Sequence, residues 1–178
     1  MSVKRRIMAA VAALTLCSIM SVSAADSYKG EKTLGVIVGY NSYNERPLAG
    51  AQFSYRFNRL LRLSPEVTYV FRHDGLDALR FDLDMQFVFP VAQGKCDVFP
   101  YAGVDYSSWN YHAPDIDHSD ATAGGNDVST RLSRIGLNLG AGCGINLSGS
   151  LRLSVTAGYT FIQYFHGVDI CAGIHYRF

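Results

Sequence analysis

Arg56, Arg62, Arg72, Arg80, Arg134, Arg152 and Arg177 recur along the chain in company with Glu66, Asp82, Asp84, Asp105 and Asp169. Carboxylates paired around a cleft can move protons, so this set has to be weighed as catalytic machinery. Its spacing points elsewhere. The charges fall at every second position of alternating segments, which gathers them on one face of a sheet. Charges enclosed together must pair with one another to offset lost hydration. A salt-bridged interior is therefore expected, carried by Arg56, Arg62, Glu66, Arg80, Asp82, Asp84, Arg134, Arg152 and Arg177.

Other chemistry-bearing residues are less ordered. His112, Asp115, Asp117, His118, Asp120 and Asp127 sit in or beside a loop at 113–129 rich in Asp, Ser, Ala and Gly. Their spacing lacks the glycine and terminal glutamate of a calcium-binding loop, and a solvated loop is the expectation. His118, Ser119 and Asp120 have triad residue types, but consecutive loop residues rarely converge to hydrogen-bond geometry. Ser107, Ser108 and His112 could serve an acyl-transfer reaction only across an awkward split of faces. No catalytic residue, metal ligand or cofactor site is assigned.

The elements that must position these residues are eight alternating segments. They run at about Lys32–Asn41, Leu48–Phe57, Leu61–Arg72, Leu79–Phe89, Val98–Ser107, Arg131–Leu147, Leu151–Phe161 and Val168–Phe178. The fourth is the clearest: Leu79, Phe81, Leu83, Met85, Phe87 and Phe89 oppose Arg80, Asp82, Asp84 and Gln86, a period of two that no helix reproduces. Asn58-Arg59, His73-Asp74-Gly75, Gln93-Gly94-Lys95 and Ser148-Gly149-Ser150 supply turns. Pro65 and Pro100 are expected near strand ends or bulges. On the sixth segment the polar face carries Gly136, Gly140, Gly142 and Gly144, and long side chains from across the barrel, arginines among them, are expected to fill the space before them.

The chain begins with Lys4, Arg5 and Arg6, an apolar run from Ile7 to Met20, and small residues through Ala25. That is the layout of a secretory signal peptide, so residues 1–25 are expected to be cleaved and 26–178 to form the folded domain. Cys17 follows bulky Leu16, which disfavours a lipoprotein. Three positive charges leave with the leader, so the 16 basic and 15 acidic residues become 13 and 15, a net of −2. No polybasic patch remains for nucleic acid. The rest of the chain has no apolar stretch long enough for a membrane helix, so membrane residence must come from strands. Three cysteines remain for an oxidising compartment. A Cys96–Cys143 disulfide is conceivable, and Cys171 is expected to point inward and stay free.

The last eleven residues, Val168–Phe178, alternate strictly and end on an aromatic. Ile170, Ala172, Ile174, Tyr176 and Phe178 face one way; Asp169, Cys171, Gly173, His175 and Arg177 face the other. Aromatics crowd both segment ends: Tyr55, Phe57, Phe87, Phe89, Tyr176 and Phe178 on one rim, Tyr40, Tyr69, Phe71, Trp109 and Phe161 on the opposite one. Two aromatic girdles suit a membrane slab. With its leader, alternating strands and final Tyr-Arg-Phe, the sequence resembles the small OmpA/OmpX-type barrels and the broader bacterial outer-membrane β-barrel family.

That resemblance implies an all-β fold, an eight-stranded antiparallel up-and-down transmembrane β-barrel, placed in the bacterial outer membrane. It implies Ile174, Tyr176 and Phe178 as a C-terminal signal read by the barrel-assembly machinery during insertion. Outer-membrane lipids are the expected surroundings, a monomer the expected state, and the 113–129 loop a candidate contact for an extracellular partner. Both termini are expected at the periplasmic side. Three functions follow: a non-enzymatic structural or loop-binding barrel with a plugged polar lumen, a narrow porin-like channel, or a lipid-modifying barrel enzyme similar in architecture to lipid A acyltransferases and deacylases. Eight strands enclose little more than their own side chains, which places the channel second.

Overall fold

The computed structural model describes residues 30–42, 45–73, 75–112, 129–164 and 166–178. The strands are β1 (Lys32–Asn41), β2 (Arg46–Arg56), β3 (Leu61–His73), β4 (Leu76–Phe87), β5 (Phe89–Val91), β6 (Cys96–His112), β7 (Ser129–Asn146), β8 (Leu151–Phe161) and β9 (Gly167–Arg177). Every neighbouring pair is antiparallel, β1 pairs with β9, and β4 pairs with β6, so the sheet closes on itself. β5 is a three-residue continuation of β4 past a break at Val88. The wall therefore has eight staves, the antiparallel barrel expected from the pattern.

Closure leaves each strand one inner and one outer face, and the chain distributes its polarity in reverse of a water-soluble protein. Arg56, Arg62, Arg80, Asp82, Asp84, Asp105, Arg152 and His175 are buried inside. Val36, Leu83, Phe87, Leu137, Ile135 and Ile174 stand exposed outside. An apolar belt this continuous is a surface for lipid. A closed sheet can turn either face inward; the burial of the arginines and aspartates and the exposure of Leu83, Phe87 and Ile174 make the polar face the inner one.

Short turns join the staves at the end that carries Gly30 and Phe178. Asn58 Oδ1 accepts hydrogen bonds from the backbone N–H groups of Leu60 (2.8 Å) and Leu61 (2.9 Å), fixing the β2–β3 turn. The β7–β8 turn uses Ser148 Oγ in the same way, accepting from Leu151 N at 3.1 Å. Between β5 and β6, Ala92, Gln93 and Gly94 all take positive φ, which compresses the link into one tight turn.

Two departures from strict alternation matter. A register shift between Val70 and His73 turns Phe71 and Arg72 both outward, so Arg72 leaves the inner face and its half-exposed side chain meets Asp77 at 3.5 Å. The prolines sit at gaps in the ladder. Pro65, opposite Leu83 in mid-strand, lies where the β2–β3 pairing skips from Gln52↔Glu66 to Tyr55↔Leu63. Ser64 Oγ approaches the Phe53 carbonyl there at 3.4 Å. Pro100 faces the interruption between β4 and β5, where β6 changes partner from Gln86 to Phe89.

Candidate functional site

The inner faces stack three layers of side chains along the barrel axis. In the layer near the termini, Arg152 Nη2 donates to Asp97 Oδ1 at 2.5 Å, and Arg62 Nε donates to Gln86 Oε1 at 2.6 Å. Both guanidiniums lie over the ring of Phe99, at 5.6 Å for Arg152 and 4.7 Å for Arg62. Ser154 Oγ and His175 Nε2 are 2.7 Å apart. Arg177 Nη2 donates to Asn146 Oδ1 at 2.6 Å and its Nε lies 3.3 Å from Glu31 Oε1. Arg56 turns to the rim, donating to the carbonyls of Asn58 (3.3 Å) and Arg59 (2.6 Å), so it holds a turn.

The middle layer is organised by Arg80. Its Nε reaches Asp105 Oδ2 at 2.9 Å, its Nη1 reaches Asp169 Oδ2 at 2.7 Å, and its Nη2 lies 3.4 Å from Asp82 Oδ1 and 3.1 Å from Thr160 Oγ1. Asn138 Nδ2 donates to Asp82 Oδ1 at 2.6 Å, and Asn41 Nδ2 donates to Asp169 Oδ1. Groups from β4, β6, β8 and β9 thus meet on one guanidinium, while Asn41 of β1 and Asn138 of β7 brace its aspartates, so six strands contribute to the cluster. A fork of five N–H donors suits that task as an ammonium does not.

Above it the loop end is closed by carbon. Leu48, Val70, Ala78 and Trp109 form a buried cluster, with Leu76, Leu132 and Cys171 against it. The Trp109 indole N–H donates to Ser107 Oγ at 3.1 Å, and the Arg46 guanidinium lies 5.6 Å from the ring centre. Aromatic type places Trp109 in the outer girdle, but the structure turns it inward. It is only 2% exposed, because it continues the inward phase of Asp105 and Ser107 along β6. Ser107 is buried with it, away from the lipid-facing side where an acyl-transfer nucleophile would be needed.

The remaining site residues separate. Glu66 accepts a hydrogen bond from Gln52 Nε2 at 2.7 Å, and among the described residues no arginine forms an ion pair with it. Asp84 is buried beside Gly103, also without an arginine ion pair among the described residues. Arg134 lies on the inner phase of β7 near the loop end and donates to the Ser133 carbonyl at 3.0 Å. Ile174, Tyr176 and Phe178 all stand exposed on the outer face. The glycine track on β7 is filled differently from expectation: Tyr101 packs over Gly140 and over Gly158 of β8, Phe99 over Gly142, and Arg152 over Gly144. All three come from adjoining strands. A side chain at Gly140 or Gly158 would collide with the Tyr101 ring.

The sequence reading missed Asp97, Arg46, Asn41, Asn138 and Thr160 as members of the network. Asp97 was within reach, since it shares the phase of Tyr101 and Asp105. Cys96, Cys143 and Cys171 are free thiols. Cys171 lines the lumen at mid-height, beside Glu66 and Asp169. His118, Ser119, Asp120 and the acidic residues of 113–128 lie outside the described residues, as does the leader. Among the described residues no group of three or more His, Cys, Asp or Glu side chains is placed to hold a metal ion.

With that geometry in hand, comparison with known proteins gives a consistent result. Residues 9–178 match the family described as "Outer membrane protein beta-barrel domain". No curated protein sequence matches the chain. Among solved structures, the N-terminal β-barrel domain of Pseudomonas aeruginosa OprF is similar at 14% identity and TM-score 0.64, covering 84% of this chain and 98% of that one. Neisserial surface protein A is similar at 13% identity and TM-score 0.64, covering 83% and 96%. A major outer membrane protein of Thermus thermophilus is similar at 15% identity and TM-score 0.64, covering 84% and 99%. At such identities the likeness is one of fold.

Proposed function

Since the chain belongs to the outer-membrane β-barrel domain family, we propose that it is a non-enzymatic barrel with a plugged lumen, serving as a structural membrane component or as a platform for its loops. The observation that carries this reading is the stack of three filled layers. A solute entering from the loop end meets the Trp109 cluster, then the Arg80 cluster, then the Arg62, Arg152 and Phe99 layer. Parting these layers means separating buried charges, and removing the partner of a buried charge is costly. The lumen-facing Ser107 and its indole partner favour a structural role for that serine over a nucleophilic one.

In this reading the leader at 1–25 is removed, the end that carries Phe178 faces the periplasm, and residues 113–129 are the contact for any extracellular partner. The lumen network is structural. Planar-bilayer recording tests it, using the purified barrel beside a variant carrying Arg80→Ala and Trp109→Ala. The unmodified protein is expected to give no stable conductance steps, and the variant to give small ones. Large, stable channels from the unmodified protein would overturn the plugged lumen in favour of the porin-like alternative.

A further inference from the structure

The lumen layer nearest Phe178 buries more positive than negative charge around one small space. Arg62 is 4% exposed and Arg152 3%, and the one ion pair that either makes among the described residues joins Arg152 to Asp97. Arg62 is held by a neutral group, the Gln86 amide oxygen on its Nε, and among the described residues no hydrogen bond reaches its Nη1 or Nη2. Arg152 Nη1 is buried and also lacks a hydrogen-bond partner there. The ring of Phe99 lies against both guanidiniums, which sets the two arginines at one height in the barrel. Asp97 thus answers one of two buried positive charges, and a buried charge left without its counterpart is costly. Thr33 and Ser54 stand opposite each other on β1 and β2, their hydroxyls joined at 2.5 Å. Two hydroxyls that share one hydrogen bond keep one O–H free to donate. Thr33, Ser54, Arg62, Phe99 and Arg152 line a single lumen cavity of about 10 Å³, room for one occupant near the size of a water.

We propose that this cavity holds one chloride ion, bound by the guanidiniums of Arg62 and Arg152 and by the free O–H of the Thr33 and Ser54 pair. The groups that lack partners here are N–H and O–H donors, which call for an anion and would repel a cation. The surplus is a single positive charge, so a monovalent ion balances it. Phosphate and carboxylate ligands carry several heavy atoms and exceed the space. A water would accept from two of the donors but would leave the Arg62 charge unanswered. Chloride is slightly larger than water, and the terminal nitrogens of Arg62, tied to no other group among the described residues, can draw back to admit it. Hydrogen bonds to a charged partner are the stronger kind, so the ion would tie β1, β2, β3 and β8 together beneath the Arg80 cluster.

The test refolds the purified barrel in detergent without halide and follows urea unfolding in sodium chloride, bromide or sulfate at matched ionic strength. Chloride and bromide are expected to raise the unfolding midpoint above that in sulfate, with a response that saturates. Sulfate is too large for the cavity, and a general salt effect would favour sulfate, so the sign separates a bound ion from bulk salt. Arg62→Gln should abolish the difference between the anions. If that variant does not fold, Thr33→Val keeps shape and charge and should weaken the halide response about tenfold, the worth of one hydrogen bond to a charged partner. Crystals grown in bromide should show one anomalous peak between Arg62 and Arg152. Equal midpoints in chloride and sulfate, or a halide response unchanged in both variants, would overturn the proposal. So would a water in place of the bromide peak, an Arg62 side chain turned to Asp84 with no ion beside it, or a bromide peak without any halide response in solution, which is binding at crystal concentration only.

Discussion

Arg80 shows how much one side chain can hold when it is enclosed. Its guanidinium serves three carboxylates from three strands, each contact within 3.4 Å. Replacement by methionine would leave Asp82, Asp105 and Asp169 buried without their cation. The expected cost is roughly 3 to 5 kcal/mol, read as a lower midpoint in urea unfolding of the refolded barrel. Arg80→Lys should recover part of that loss, because a point charge cannot reproduce the fork. A midpoint unchanged by Arg80→Met would contradict the hub. Arg80 and its aspartates were legible in the sequence as inward charges, but their partners were not. Alternation assigns a residue to a face; it does not say which charge across an eight-stave interior lies within reach. Glu66 and Asp84 were therefore expected among arginines that instead serve Asp97, Gln86 and the β2–β3 turn.

At the scale of the strand, phase governs what each residue does. Leu83 stands 46% exposed on the outer face of β4, while Asp84 beside it is buried inside. Leu83→Arg should cost about 2 to 4 kcal/mol if the residue lies near mid-membrane, and Asp84→Asn should leave the lipid face untouched. Measured membrane insertion separates the two, and equal losses would refute the face assignment. β9 closes the wall against β1, and Phe178 N donates to the Lys32 carbonyl at 3.1 Å, with its ring exposed on the rim. Deleting Phe178 should lower the yield of assembled barrel; undiminished insertion of the truncated chain would remove its anchoring role. Most strands were readable from their period because eight stretches of regular alternation have few alternative folds. The exceptions, Arg72 and Trp109, arise at the loop end. There a bulge shifts the phase in one strand, and aromatic type suggests a girdle where phase dictates the interior.

For the whole molecule, closure and filling act together. Each stave is bonded on both sides, so no edge is available for stepwise unzipping. The protein is accordingly expected to keep a compact gel mobility in detergent until boiled; identical mobility before and after boiling would count against cooperative closure. The sealed interior is the central claim, and the chain carries its own probe of it. Cys171 lines the lumen at mid-height under the Trp109 cluster, whereas Cys143 is exposed on the outer wall. The direct measurement is peptide-level mass spectrometry of Cys171 after treating the folded barrel with a charged, water-soluble thiol reagent. A sealed lumen predicts no modification of Cys171 until the barrel is unfolded. Modification in the folded state at the rate of the unfolded chain would show an open, water-filled lumen and contradict it.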